Sequence, residues 1–244
     1  MNPLTLRKAK DLYSEYTKAT KGCRSTDVVV CAPTVYLHPF HALKGVSGLS
    51  IGAQDVCEKT EGSYTGEIAV GMLKDAGVTH VIVGHFERRA RGETNVVVNE
   101  KLKTVVSAGL HAIVCIGESE RDTNGKFYRK LQRELEETLA GIEEKYFKKI
   151  IIAYEPIWAI GKTAHEAMDG ERMYEMNIFI QKALTDLFGH EVARKVRVVY
   201  GGSVDKSNIE NIVDDGKVDG VLVGRASLDA KQIKDMLTIL DTIR

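Results

Sequence analysis

A carboxylate at the end of an apolar segment is the strongest candidate for catalysis in this sequence. The run Ile150–Ala153 is short and apolar, which predicts a buried strand, and Glu155 lies at its C-terminal end. In β/α barrels this end of a strand carries the chemistry. Residues 156–164 begin with a proline, contain Trp158 and end in small residues, which predicts a lid that excludes water during a proton transfer. Considered alone, a strand-end carboxylate is more often merely solvated.

A histidine at the end of a second apolar run is the next candidate. His85 follows Val81–Gly84, and a lone histidine in such a position is most often a structural residue with satisfied hydrogen bonds. The segment that begins at Thr94 has a helical pattern. We therefore expect the imidazole to lie near a helix N-terminus, which lowers its pKa and favours the neutral form.

Glycine-rich segments after two later strands predict an anion site. Ser203 ends a Gly-Gly-Ser tripeptide, and Gly224, followed by Arg225, ends the next apolar run. Together with Gly161 of the lid, these glycines let backbone N–H groups approach a phosphate, and a helix after Gly224 would direct its N-terminus at it. Gly-Gly-Ser alone is weak evidence, but its position matches the phosphate site of β/α barrels. A nucleotide-binding loop at Gly161 is excluded, because Pro156 occupies the position that requires glycine.

The elements that must position these residues are short apolar strands alternating with amphipathic helices. This alternation predicts a parallel sheet covered by helices. The strand candidates are Asp27–Cys31, Leu49–Gln54, His80–Gly84, Ala112–Ile116, Lys149–Tyr154, Val196–Tyr200 and Gly220–Gly224. The clearest helices are Leu4–Thr20, Thr94–Ala108, Lys126–Lys145, Glu171–Leu187 and Leu228–Ile243, and Thr5 is a candidate capping residue for the first.

Length and composition limit the classes of protein that this chain can belong to. The chain of 244 residues has no linker or low-complexity segment, so residues 1–244 are expected to form a single β/α barrel domain. Its 34 basic and 34 acidic residues cancel, which argues against nucleic acid or an anionic membrane as partner. The 4 cysteines match no metal-binding spacing. Since there is no signal peptide or long apolar run, we expect a soluble cytoplasmic protein.

Several ordered motifs resemble those of the triosephosphate isomerase family, and the resemblance extends from residue 1 to residue 244. The first surrounds Glu155, from Ala153 to Ala164. The others are Gly84-His85-Phe86-Glu87-Arg88-Arg89, Cys115-Ile116-Gly117-Glu118, Tyr200-Gly201-Gly202-Ser203-Val204 and the segment from Asp219 to Leu228. The resemblance implies an α/β fold of the (β/α)8 TIM-barrel type.

The same resemblance implies the reaction and the roles of the residues. The reaction is the interconversion of dihydroxyacetone phosphate and D-glyceraldehyde 3-phosphate through an enediol or enediolate. Glu155 would move the proton and neutral His85 would polarise the carbonyl oxygen, both carried over from the family. The lid would close on a phosphate bound at Gly161, Ser203, Gly224 and Arg225, and no metal or organic cofactor would be needed. The loop that contains Thr65 would enter the neighbouring subunit of a homodimer.

The chain also departs from the pattern of the family. Met1-Asn2 resemble the middle of the segment Asn-Trp-Lys-Met-Asn, so we expect the first barrel strand, with its Asn and Lys, to be missing. Glu87 resembles a buried supporting carboxylate that contacts that Lys, although a surface glutamate paired with Arg88 or Arg89 is the alternative. Phe86 replaces a Ser that holds the catalytic carboxylate. Arg225 replaces a glycine and either adds a positive charge or points away.

Two other functions fit part of the sequence. The first is an inactive or weakly phosphate-binding barrel fragment, because the first-strand Lys is absent. The second is another phosphate-handling β/α barrel, such as a sugar-phosphate epimerase, which would share the glycine-rich loops. An epimerase does not explain Glu155 with its lid or the motif around His85.

Overall fold

Parallel strands in sequential order form the centre of the molecule. The computed structural model describes residues 2–23, 25–41, 48–162 and 167–243. Within these ranges, neighbouring strands pair in the order β1 to β7, and every pair is parallel. The 7 strands are β1 (Val28–Ala32), β2 (Leu49–Ala53), β3 (His80–Val83), β4 (His111–Ile116), β5 (Ile150–Tyr154), β6 (Arg197–Tyr200) and β7 (Gly220–Val221). The predicted parallel α/β sheet of seven strands is confirmed.

Helices connect the strands and cover one face of the sheet. They are α1 (Leu6–Thr20), α2 (Leu37–His41), α3 (Val70–Asp75), α4 (Phe86–Arg89), α5 (Asn95–Ser107), α6 (Lys126–Leu139), α7 (Gly170–Phe188), α8 (His190–Ala193) and α9 (Ala230–Ile243). The predicted cap of α1 is present, since the Thr5 hydroxyl accepts a hydrogen bond from the Lys8 N–H at 3.2 Å. In the described part of the chain, no helix is long and apolar enough to cross a membrane.

Alternate strand residues build two separate apolar regions. Val81 and Val83 of β3 pack into the large cluster beneath the helices, whereas Ile82 between them joins a smaller cluster on the opposite face. That smaller cluster also contains Ile113, Cys115, Ile151 and Ala153. Because successive side chains of a strand point to opposite faces, apolar residues at every position bury both faces of the sheet.

The first and last helices bring the two ends of the sheet towards each other. Helix α1 precedes β1 and α9 follows β7, and the two helices pack together. The Tyr16 hydroxyl of α1 donates a hydrogen bond to the carbonyl of Ser227, which lies just before α9. Packing of these helices curls the sheet, so that the carboxyl ends of its strands surround a common mouth.

Several predicted boundaries differ from the structure, and local geometry explains two of the differences. Helix α6 ends at Leu139 instead of Lys145, because Gly141 adopts φ +69° and the chain then forms a 3-10 segment. Strand β7 is shorter than predicted and ends at Val221. Helix α9 begins at Ala230 instead of Leu228, because a 3-10 turn over Arg225–Leu228 comes first.

Candidate active site

The candidate residues gather at the carboxyl ends of neighbouring strands. Glu155 follows β5, His85 lies two residues after β3, and Ser203 lies in the loop after β6. Arg225 belongs to the segment after β7. In parallel β/α sheets this edge is the one that carries ligands. The sheet therefore brings together side chains that are up to 140 positions apart in the sequence (225 − 85).

Glu155 and His85 face each other directly. The Oε1 atom of Glu155 lies 3.3 Å from Nε2 of His85, and the two side chains are 2% and 27% exposed. The other carboxylate oxygen, Oε2, accepts a hydrogen bond from the backbone N–H of Phe86 at 3.0 Å. Oε1 itself is buried and forms no hydrogen bond with the described residues. A buried acceptor without a donor is unfavourable for stability and is typical of a functional group.

Burial sets the protonation behaviour of Glu155. Removal from water raises the pKa of Glu155 to about 8. The Phe86 N–H, the Cys115 thiol and the positive charge of Arg89 act in the opposite direction but do not cancel this effect. A carboxylate with a raised pKa is a stronger base, which suits it to removing a proton from carbon.

The backbone around His85 fixes which of its nitrogens carries the proton. His85 caps the N-terminus of α4, and its Nδ1 accepts a hydrogen bond from the N–H of Glu87 at 3.4 Å. In the neutral ring, Nε2 is therefore the protonated nitrogen and can donate. Burial lowers the pKa of His85, which favours the neutral form. The helix beside the ring is α4, whereas the sequence pattern pointed to the helix that follows Thr94.

Phe86 shows how the site accommodates one departure from the family pattern. The expected difficulty was that Phe cannot replace the hydroxyl of a Ser in holding the carboxylate. In the structure the backbone of Phe86 holds Glu155, as described above. The aromatic ring instead packs beside the His85 ring, with centroids 4.6 Å apart. The position of Glu155 therefore does not depend on a hydroxyl at this residue.

Glu87 does not lie where the resemblance placed it. Its side chain is 71% exposed, with Oε2 at 3.9 Å from Nδ1 of His85, so the expectation of a buried carboxylate is wrong. The side chain points outward from the first turn of the short helix α4, at the mouth of the sheet. The alternative pairing also fails among the described residues, because Arg88 pairs with Asp55 and Glu93, and Arg89 pairs with Glu134.

A buried carboxylate that sequence reasoning left without a role holds Trp158 of the predicted lid. Glu118 is 1% exposed and lies two residues after the end of β4. Its Oε1 accepts hydrogen bonds from the Tyr154 hydroxyl at 2.7 Å and the Trp158 Nε1–H at 2.9 Å, and it lies 3.1 Å from Nε of Arg121. The signal available in the sequence was a second carboxylate two positions after an apolar strand.

Three of the four residues predicted to bind phosphate are linked by hydrogen bonds. The Gly161 N–H donates to Ser203 Oγ at 3.1 Å, and the Ser203 hydroxyl donates to the Ala159 carbonyl at 3.1 Å. Arg225 points towards Gly161, because its Nη2 donates to the Gly161 carbonyl at 3.1 Å. Gly224 is exposed and precedes the 3-10 turn, so the long helix α9 does not begin at it as expected. Positions 163 and 164 of the predicted lid lie outside the described residues.

No cluster of three or more His, Cys, Asp or Glu side chains that could hold a metal ion occurs among the residues that the structure describes. The polar groups at the mouth of the sheet include a buried carboxylate, an imidazole and several hydrogen-bond donors. Such a set can move a proton beside a carbonyl group and can bind an anion.

Comparisons with known proteins show the family of this chain. The family model described as Triosephosphate isomerase matches residues 1–240. The Triosephosphate isomerase of Dictyoglomus thermophilum is 39% identical over 226 residues, which cover 92% of this chain and 90% of that protein. That of Citrifermentans bemidjiense is 41% identical over 226 residues, covering 92% and 89%. That of Carboxydothermus hydrogenoformans is 41% identical over 217 residues, covering 88% and 85%. The chain belongs to the triosephosphate isomerase family, a family of isomerase enzymes.

Proposed function

We propose that this protein interconverts dihydroxyacetone phosphate and D-glyceraldehyde 3-phosphate through an enediol or enediolate. The observation that carries the proposal is the contact between Glu155 Oε1 and His85 Nε2 at 3.3 Å, at the carboxyl ends of two parallel strands. A substrate carbon and its oxygen bound beside this contact would meet a base and a hydrogen-bond donor together. Family membership supports the substrate class.

Proton transfer would be the role of Glu155. The carboxylate removes the proton from the carbon beside the carbonyl and returns it to the neighbouring carbon. Its burial favours this step, because a desolvated carboxylate binds a proton more strongly than a solvated one. The Phe86 N–H holds one oxygen, which leaves Oε1 directed at the reacting atoms.

Polarisation of the carbonyl group would be the role of His85. Since Nδ1 accepts from the Glu87 N–H, the Nε2–H is available to donate to a substrate oxygen. The negative charge that develops on this oxygen strengthens the hydrogen bond in the transition state. A neutral donor also avoids an ion pair with Glu155, which would weaken the base. We assign Glu87 the supporting role of fixing this tautomer through its backbone N–H.

Phosphate binding would involve Gly161, Ser203, Gly224 and Arg225. The first two and Arg225 are already linked by hydrogen bonds, and these donors match the acceptor oxygens of a phosphate. Residues 156–164 would act as the lid over this group. With the substrate anchored by its phosphate, the reacting carbons would be held beside Glu155.

We also propose a homodimer formed through the loop that contains Thr65. Residues 61–67 are all exposed, and Tyr64 keeps 45% of its surface accessible. The base of the loop is fixed by the hydrogen bond from the Cys57 N–H to the Ile68 carbonyl at 2.8 Å.

A cytoplasmic location is supported by the cysteines, since Cys23, Cys31, Cys57 and Cys115 are all free thiols.

Replacement of Glu155 by Gln tests the proposed function. The amide keeps the shape but cannot accept a proton, so kcat should fall by about 10²–10⁴-fold with little change in phosphate binding. Glu144→Gln is the matched control, because Glu144 is exposed and pairs with Lys195 away from the site. A loss of less than about tenfold in Glu155→Gln would remove Glu155 from this role. Phosphate binding without turnover by the native chain would favour the alternative of an inactive, phosphate-binding barrel.

A further inference from the structure

Arg225 joins two loops that lie far apart in the sequence. Its side chain extends from the turn after β7 to the lid after β5, where Nη2 donates to the carbonyl of Gly161 at 3.1 Å. The two residues are separated by 64 positions. An exposed arginine of this length could adopt many conformations in solvent. Its contact with the lid therefore links the conformation of the lid to the loop after β7.

The same lid residue is also held from the side of β6. The Gly161 N–H donates to Ser203 Oγ, and the Ser203 hydroxyl donates to the carbonyl of Ala159, each at 3.1 Å. The lid is therefore attached at Ala159 and Gly161, through both the N–H and the C=O of the latter. The donors of these three hydrogen bonds are the Gly161 N–H, the Ser203 hydroxyl and the Arg225 guanidinium, and each of them could bind an anion instead.

The backbone of Gly161 makes the contact with Arg225 possible. Gly161 adopts φ +82°, a conformation that L side chains rarely adopt. A Cβ atom built at this position would lie 3.7 Å from Nη2 of Arg225. The left-handed backbone directs the carbonyl oxygen towards the guanidinium while the N–H points to Ser203. A residue with a side chain would strain this arrangement.

A phosphate group is a better partner for Arg225 than the carbonyl that it contacts. Hydrogen bonds between a guanidinium and a phosphate are charge-assisted on both sides, are often bidentate, and are about twice as strong as those between neutral groups. The Gly161 carbonyl offers a single neutral oxygen. A phosphate that enters beside Gly161 can therefore take the guanidinium from the carbonyl.

We propose that Arg225 is a positioning residue that exchanges partners when the substrate binds. It holds the lid through Gly161 until the phosphate arrives, and then transfers its hydrogen bonds to the phosphate and releases the lid to close. This inference rests on the proposed phosphate site and adds a role that a glycine at position 225 could not perform. Phosphate binding and lid movement become coupled through one side chain.

The test is titration with inorganic phosphate at constant ionic strength, followed by the fluorescence of Trp158, the only tryptophan in the chain. Arg225→Gly should weaken phosphate binding about tenfold through the loss of charge-assisted bonds. Arg225→Lys keeps a point charge and should retain more of the affinity than Arg225→Gly. Arg194→Ala is the control for the loss of one positive charge, because Arg194 follows α8 at the amino ends of the strands. It should bind phosphate as the native chain does.

Hydrogen–deuterium exchange of the lid separates the proposed exchange of partners from a simple electrostatic effect. Without phosphate, Arg225→Gly should exchange faster than the native chain in peptides that cover residues 156–162, whereas Arg194→Ala should not. In steady-state kinetics with the phosphate substrate, Arg225→Gly should raise KM by a larger factor than it lowers kcat.

Several outcomes would overturn the inference, and they can be distinguished. If the native chain binds phosphate but Arg225→Gly matches it in affinity and in lid exchange, Arg225 has no positioning role and the phosphate site stands. If Arg225→Gly lowers phosphate affinity but leaves deuterium exchange of the lid unchanged, Arg225 is a simple electrostatic contact and the proposed change of hydrogen-bond partners is wrong. If the native chain does not respond to phosphate, the proposed phosphate site is wrong, and so is the proposed change of hydrogen-bond partners. If Arg225→Gly does not fold, Arg225→Lys takes its place. An Arg225→Lys chain that matches Arg194→Ala in both phosphate affinity and deuterium exchange of the lid would overturn the inference.

Discussion

Single residues at the mouth of the sheet acquire their properties from the groups that surround them. Glu155 and Glu118 are both glutamates placed after neighbouring strands, and both are almost fully buried. Glu118 receives hydrogen bonds from Tyr154 and Trp158, whereas Oε1 of Glu155 receives none from the described residues and faces His85. This difference in partners favours a structural role for Glu118 and a chemical role for Glu155.

The raised pKa of Glu155 predicts how stability changes with pH. The pKa is about 8 in the folded chain, against an ordinary value of 4.5. Between these values the unfolded chain has lost the proton while the folded chain retains it. The free energy of unfolding should therefore fall as the pH rises through this window, by an amount on the order of a few kcal/mol. Below the lower value both states are protonated and this penalty disappears.

Glu155→Gln isolates this effect, because the amide does not ionise. Relative to the native chain, the variant should be most stabilised above about pH 8, and the difference should shrink towards about pH 5. Melting temperatures at several pH values measure this difference, and Glu144→Gln should match the native chain throughout. A stability difference that does not change with pH would show that Glu155 is not buried with a raised pKa.

At the scale of elements, the proposed lid begins at a segment whose tryptophan is held by buried contacts. The 3-10 segment Ile157–Ala159 follows β5 directly, and its Trp158 is fixed by Glu118 on one side. The guanidinium carbon of Arg121 lies 5.2 Å from the centre of the indole ring. The proposed lid is therefore firmly held near residue 158 and attached more weakly at Gly161, whose two hydrogen bonds are exposed to solvent. Movement of the proposed lid should therefore begin near Gly161 and not at Trp158.

Glu118→Gln should loosen the anchor. The neutral amide is a weaker acceptor for the Trp158 and Tyr154 donors and cannot pair with Arg121. The free energy of unfolding should therefore fall by about 1–3 kcal/mol. Quenching of Trp158 fluorescence by acrylamide should increase, and the response of Trp158 to phosphate should become smaller. Glu120→Gln is the control, because Glu120 is exposed in the same loop. Equal quenching in both variants would contradict the anchoring role.

At the scale of the whole molecule, the single chain leaves the loop with Thr65 uncovered. Its base is held against α5, since the Thr104 hydroxyl donates to the Glu58 carbonyl at 3.1 Å and Lys59 pairs with Glu100 at 2.8 Å. Beyond this base, residues 61–67 are exposed. A fixed base with an exposed tip, including Tyr64, suits insertion into a partner surface.

Thr65→Arg should weaken self-association. A long charged side chain at the tip would have to be desolvated in the proposed interface without a partner, which should raise the dimer dissociation constant at least about tenfold. Sedimentation equilibrium of the native and variant chains measures this constant. Thr242→Arg, at an exposed position of α9, is the control. A native chain that is monomeric at all concentrations, or a variant that dimerises equally well, would contradict the proposed interface.

The sequence by itself determined the strands, their parallel arrangement and the strand ends at which Glu155, His85 and Ser203 lie. These features follow from local patterns, because an apolar run and the residue after it are adjacent in the chain. Only the tertiary structure decided the exposure of Glu87, the hold of the Phe86 backbone on Glu155, the anchoring of Trp158 by Glu118 and the contact of Arg225 with Gly161. These features depend on the direction of side chains and on loops from different β/α units, which meet only when the sheet curls.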